Sequence, residues 1–296
     1  MILDECLALA AACVRRLGPR HVARAVVPEP HPDPARDAEF GLLTLDDGSA
    51  GLYYAWLGDT QRHMASRYPA DTLVGRDALE LAMTFRRGDD AARSLAVAAL
   101  NALTASFWRA RAYMPPPATD SFGLRLKPAG KLGMVGNFPS LIRQARAQGI
   151  AVTVLERKAH MVTHEAGLEI TLDPTALAGC DQIICTAATL LNDTLDEVLG
   201  YCAPDAEVAV VGPTAGVLPE PLFARGVAVV GGTLILDAEE AGRRLASGQK
   251  LGDTGYRYRL SGAPDTQLEA DAVTGALVQV TRIPEGYPGT RVLCLS

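Results

Sequence analysis

The chain has 296 residues, enough for one large domain or two ordinary ones with a substantial core. Hydrophobic residues make up 48% and charged residues 21%, a soluble globular balance, and the formal net charge of -6 argues against a general nucleic-acid-binding surface. No stretch approaches ~20 uninterrupted apolar residues, so no membrane span is expected.

Ile2–Leu17 carries apolar residues at helical spacing and closes on Gly18-Pro19. Asp4 and Glu5 stand where a secretory leader would be basic. His21–Val27 reads as a strand and Pro28–Pro34 as a Pro-rich connection. Phe40–Leu45, the acidic turn Asp46-Asp47-Gly48 and Ala50–Trp56 form a β-hairpin pattern. Asp59–Asp71 is polar and reads as loop, whereas Arg76–Arg87 and Asp89–Ser106 are helical patterns separated by Gly88. The first third is thus α+β. Three consecutive prolines between Tyr113 and Asp120 end the last helix and stiffen a linker. The expected organisation is an N-terminal cap over 1–112, a linker over 113–122, a ligand-binding domain over 123–253 and a β-rich extension over 254–296.

Lys131–Val135 is a short apolar run, broken by Gly136-Asn137-Phe138-Pro139-Ser140. Leu141–Gln148 follows at helical spacing, stops at Gly149, and Ile150–Leu155 is a second apolar run ending on Glu156. Strand, turn, helix and strand in this order make a βαβ unit with a right-handed crossover. Asp181–Cys185, Glu207–Val211 and Val227–Val230 are further strands, with helices over Leu195–Cys202 and Ala238–Ser247. Near-continuous apolar strands alternating with helices predict a Rossmann-like, doubly wound α/β sheet.

Such a sheet binds ligands at the carboxyl ends of its strands. Three strand ends finish in small or hydroxyl residues that let a ligand approach the backbone: Gly136-Asn137-Phe138-Pro139, Thr186 to Thr189, and Gly212-Pro213-Thr214. Glu156 closes the second strand, where a carboxylate can accept from ribose hydroxyls. For Asn192 and Thr194, helix capping competes with ligand contact. The turn lacks GxGxxG, and Phe138 and Pro139 would crowd a pyrophosphate, so a mononucleoside or a metal-bearing molecule fits better than a dinucleotide. His160 and His164 stand i, i+4, which on a helix can present two imidazoles to one metal; without a helix they are solvated loop residues. Six cysteines, at 6, 13, 180, 185, 202 and 294, form no CxxC pair, and four lie inside apolar runs as reduced core thiols do. The expected location is the cytoplasm.

The blocks VGNFP, LER, CDQIICTAATLLNDTLDEVL, VVGPTAGVLPEPLFARGVAVVGG and LILD together resemble the putative heavy-metal chelation domain family. LTLDDGSAGLYYAW, LVGRDALELAM and LAVAALNALTAS resemble its companion domain with an enolase-N-terminal-like fold. The resemblance implies a small α+β cap on a Rossmann-like domain, a ligand cleft between them, and a homodimer. It carries Gly136, Phe138, Pro139, Glu156, Thr186, Thr189, Asn192, Gly212 and Pro213 into the site, and HMVTH after Glu156 departs from it. The implied function is binding of a metal ion or metal chelate in that cleft. The alternatives are an enzyme holding an S-adenosylmethionine-like nucleoside there, or a non-catalytic small-molecule sensor.

Overall fold

The computed structural model describes residues 1–28, 40–55, 60–120, 123–262, 268–270 and 277–279. The chain opens with α1 (Ile2–Leu17), then β1 (Val22–Val26), β2 (Phe40–Leu45) and β3 (Ala50–Tyr54), which form a three-stranded antiparallel sheet in that order. Helices α2 (Thr60–Arg67), α3 (Ala70–Leu73), α4 (Ala78–Met83) and α5 (Asp90–Ala110) follow. Within the expected loop over 59–71, the described residues 60–71 are therefore mostly helical. Its residues are polar nearly all round, and α2 is anchored through buried Thr60 and Met64, too few apolar positions to register as a helical stripe. Asp89 starts α5 by accepting from the Ala92 amide at 2.9 Å.

The second unit contains β4 (Lys131–Val135), α6 (Pro139–Ala147), β5 (Ala151–Leu155), β6 (Thr163–Glu165), β7 (Leu168–Thr171) and β8 (Gln182–Thr186). It continues through α7 (Ala188–Leu191), α8 (Leu195–Gly200), β9 (Glu207–Val211), α9 (Glu220–Phe223), β10 (Val227–Ile235), α10 (Ala238–Ala246) and β11 (Gly255–Ser261). A short pair, β12 (Leu268–Ala270) and β13 (Leu277–Gln279), lies beyond. The large sheet runs β11-β10-β9-β8-β4-β5-β7-β6. Its inner six strands are parallel, and β11 and β6 close the two edges in antiparallel pairing. Counted from β4, the parallel strands stand in the order 3-2-1-4-5-6, the dinucleotide-fold arrangement, with the topological switch between β4 and β8.

Three details depart from expectation. The third parallel strand is Leu168–Thr171, an alternating and partly exposed segment too short to stand out by apolar content. β10 runs straight through Gly231-Gly232, because Gly232 leaves room for the Tyr258 ring on β11, which a Cβ would overlap. The segment expected as a separate extension begins with β11, an edge strand of the main sheet; the strand pattern read over 291–295 lies outside the described residues. The proline linker also joins this edge, with the Arg259 amide donating to Pro116 O and the Ala118 amide to Arg257 O, each at 3.0 Å.

The core explains how the units meet. α5 is buried on nearly every side. Its residues Leu95, Val97, Leu100 and Leu103 share one apolar cluster with Val135, Cys185, Val208, Val210 and Val230 of the large sheet. The N-terminal unit thus covers one face of that sheet directly. The opposite face packs on Leu141, Ile142 and Ala145 of α6. On the small sheet, Gly51 brings β3 so near α5 that a Cβ would overlap Ala98 O, while α10 packs against Val26, Leu42 and Leu52.

Candidate functional site

Parallel registry fixes where the strand ends fall. Val135 pairs with Leu155 on one side and Cys185 on the other, and Thr186 pairs with Val211. Gly136, Glu156, Thr186 and Gly212 therefore line one edge of the sheet, on both sides of the switch point. Gly136 adopts φ +90°, outside the comfortable range of other residues, and its amide donates to Leu155 O at 2.9 Å. A Cβ there would lie 3.2 Å from Thr186 Cγ2, so the turn lies against the hydroxyl-bearing end of β8. Gly212, at φ +150°, makes the same close approach to Ala187.

α6 begins at Pro139 with Phe138 as its uncapped preceding residue; the Phe138 ring packs on the apolar cluster under α6. Asn137 lies in the turn between them, part-buried. The Glu156 amide donates to Thr171 O at 3.0 Å, and one of its carboxylate oxygens accepts from the Arg157 amide at 2.8 Å. That anchors the carboxylate at the carboxyl end of the sheet through one of its oxygens.

The β8 end is a hydrogen-bonded turn. Thr189 Oγ1 donates to Thr186 O at 2.7 Å and lies 3.4 Å from Cys185 Sγ, so this hydroxyl serves the protein's own backbone. Asn192 caps the end of α7. Its amide fits its surroundings with the nitrogen toward Thr189 O (3.1 Å) and Thr194 Oγ1 (2.6 Å), and the oxygen 3.3 Å from Arg157 Nη1; the reverse orientation sets nitrogen against a guanidinium. Arg157 therefore reaches from the end of β5 to the turn after β8, across the strand between them. The adjacent Asp193 adopts φ +60° and accepts from Arg86 Nη1 of the N-terminal unit at 2.6 Å.

The Gly212–Thr214 loop is tied to the N-terminal unit as well. Asn101 Nδ2 on α5 donates to Thr214 O at 3.1 Å and to Leu52 O at 3.2 Å. Thr214 is buried beneath this contact, and Pro213 is part-buried beside it. Arg157, Asn101 and the Arg86–Asp193 pair were not singled out from the sequence. The only sequence signal was charge beside Glu156, since their partners are distant along the chain.

The two histidines are not brought together as a helical pair. His160 lies in a short 3₁₀ turn, Ala159–Met161, while His164 is on edge strand β6, 72% exposed, with Nδ1 3.9 Å from Glu169 Oε1. Among the described residues, no group of three His, Cys, Asp or Glu side chains gathers as a metal cage. The thiols do not serve either. Burial pushes Cys185 up to about 12 and Cys202 up to about 11, and raises Cys180, which keeps them protonated at neutral pH. The described residues thus do not fit a bare ion held by protein ligands alone. An open depression of about 370 Å³ lies elsewhere, bordered by Tyr68, Glu80, Met83 and Arg87. None of the strand-end residues lines it.

Two family models, both described as putative heavy-metal chelation, match residues 120–260 and 39–104 and between them take in most of the chain. The chain belongs to this family. The first model is DUF364, and two solved members of that family, both of unknown function, share the fold. The Pyrococcus horikoshii protein is 19% identical with a TM-score of 0.64, covering 88% of this chain and 100% of its own. The Desulfitobacterium hafniense protein is also 19% identical with a TM-score of 0.64, covering 87% and 98%. An uncharacterized protein of Methanocaldococcus jannaschii is 29% identical over 150 residues, half of this chain and 57% of that protein's length. Among the described residues of this DUF364 member, no helix is long and apolar enough to cross a membrane.

Proposed function

We propose that the protein binds a ribose-bearing small ligand, a mononucleoside or an S-adenosylmethionine-like compound, in the crevice over the Gly136 turn. Glu156 carries this reading: it is an anchored carboxylate at the end of the strand next to the switch point, where hydroxyls of a bound sugar would meet it. Gly136, Asn137, Phe138 and Pro139 form the floor, with Thr186, Gly212, Pro213 and Thr214 on the far side. Thr189 and Asn192 support the rim. An enolase-N-terminal-like cap over 1–112 borders the crevice through Asn101 and Arg86, with a linker over 113–122 and a binding domain over 123–253 whose sheet β11 completes. The buried thiols of Cys6, Cys180 and Cys185, outside any disulfide, are in keeping with a cytoplasmic location, and a homodimer is the assembly that the family resemblance implies.

A second reading is favoured by the family's description. The ligand is a metal chelate, in which the small molecule supplies the donors that the described residues do not gather, and His160 or His164 adds an imidazole. Handling, sensing and turnover of such a ligand are all compatible with the crevice.

Calorimetric titration of wild type and Glu156→Gln separates the readings. A charged hydrogen bond to one or two hydroxyls contributes ~1.5–3 kcal/mol, so adenosine or S-adenosylmethionine affinity should fall roughly 10- to 100-fold with folding intact. Loss of divalent-metal affinity with nucleoside binding unchanged would favour the chelate. Equal binding of every ligand by both proteins would leave Glu156 with a purely structural part.

A further inference from the structure

Arg157 is an arginine with no carboxylate partner among the described residues, held instead by a neutral amide. Its neighbour Glu156 does not pair with it through side chains: the Glu156 carboxylate accepts from the Arg157 backbone amide, and the guanidinium extends away to Asn192. An exposed arginine on a surface strand end would ordinarily be a mobile solvated side chain. This one reaches Asn192, whose amide oxygen lies 3.3 Å from Nη1, and Asn192 is itself held by a chain of contacts. Thr194 and Thr189 orient the Asn192 amide, and the next residue, Asp193, is pinned at 2.6 Å by Arg86. Arg86 is fixed in turn by Asp4, whose two oxygens accept from Nε at 2.8 Å and Nη2 at 2.6 Å. The result is a cation that reaches from the end of β5 to Asn192 after α7, with β4 between their strands.

A guanidinium held by one hydrogen bond to an amide has most of its donors unused, in a planar fork that matches an oxyanion. We propose that Arg157 is the receptor for an oxyanion, a phosphate monoester or a carboxylate, carried by the same ligand whose hydroxyls meet Glu156. The inference rests on the nucleoside reading of the crevice and narrows it to nucleosides that carry an oxyanion. Carboxylate and cation side by side then impose a polarity: hydroxyls toward the end of β5, the anion toward β8. A pyrophosphate is not called for, since the turn carries a single fork rather than a glycine cradle.

The test uses the full chain, as wild type, Arg157→Ala and Arg157→Lys, titrated with adenosine, adenosine 5′-monophosphate, S-adenosylhomocysteine and inorganic phosphate. Wild type should bind at least one of the two oxyanion-bearing nucleosides, the phosphate monoester or the zwitterionic carboxylate, about tenfold or more tighter than adenosine, as a charged fork contact allows. Whichever of the two gains identifies the oxyanion. Arg157→Ala should erase that advantage while leaving adenosine affinity within about threefold, and Arg157→Lys should restore part of it, with a stronger salt dependence. If wild type prefers neither oxyanion-bearing nucleoside, or the preference survives in Arg157→Ala, the proposal is overturned. If adenosine is not bound at all, the nucleoside reading fails separately. Inorganic phosphate then decides: binding lost in Arg157→Ala sustains the anion receptor, and no binding, or binding that the substitution leaves intact, removes it.

Discussion

At Gly136 a single backbone dihedral sets the turn between β4 and α6. φ +90° is costly for any residue with a Cβ, by ~1–2 kcal/mol, and the added methyl would also press on Thr186 Cγ2 at 3.2 Å. Gly136→Ala should therefore lower unfolding free energy by about 1–3 kcal/mol in urea titrations and weaken whatever the crevice binds. A change within ~0.5 kcal/mol would mean that the turn relaxes without strain. Residue by residue, the sequence was readable where chemistry depends on position along a strand. Glu156 follows an apolar run, and the fold's rule gives that place a meaning. It was unreadable where a polar group is already spent. Thr189 looks ligand-facing as a letter, yet its hydroxyl serves the Thr186 carbonyl. Arg157 and Asn192 meet only because β5 and β8 flank β4.

Among the elements, α5 and β3 form the tightest pair. With Gly51 against Ala98 O and the Ala102 amide, even one methyl cannot be placed without moving strand or helix. Overpacking of this kind costs typically about 1–3 kcal/mol and sometimes more. Gly51→Ala should sit at or above the top of that range in chemical denaturation, and Gly75→Ala, with open space but φ +82°, should cost less. The reverse ranking would sink the packing argument. The apolar runs of β4, β5, β8 and β9 were legible because both their faces are buried. β7 and α2 were not, since each buries too little to leave a periodic trace. α5 did carry a signal that could have been used. LAVAALNAL is apolar around the whole helix, the mark of an element covered on every side, here by the small sheet and the large one.

At the scale of the molecule, α1 is held by two arginines that reach it from different directions. Arg86 takes Asp4, and Arg225 of the second unit takes Glu5 at 2.7 Å and Asp196 at 2.8 Å. Arg86 holds the Asp4 carboxyl below its ordinary value of 3.8, outweighing the opposing effect of burial. Asp47, which burial alone would raise, is held down by the Ser106 hydroxyl, by Ser49 and by Arg20. A depressed carboxyl stabilises the fold above its unfolded pKa and loses that contribution as pH falls through the folded one. Thermal midpoints should thus be flat from neutral pH to about 4 and fall below it, where these carboxylates protonate. Asp4→Asn and Asp47→Asn should each flatten part of that acid limb; unchanged limbs in both would show that other carboxylates govern it.

The bracketing of α1 also sets an order of events in the cell. The Ile2 amide bonds Asp196, 194 residues downstream, and Glu5 pairs with Arg225 at a separation of 220. Translation at ~5–20 residues per second separates α1 from Arg225 by about ten to forty seconds. Throughout that wait the apolar side of α1, with Ile2, Leu3, Cys6 and Leu7, can close on α4 and α5 of its own unit but lacks α9 of the second. The helix can settle on α4 and α5 of its own unit first, and its ties to the second unit close only once Asp196 and Arg225 have been made.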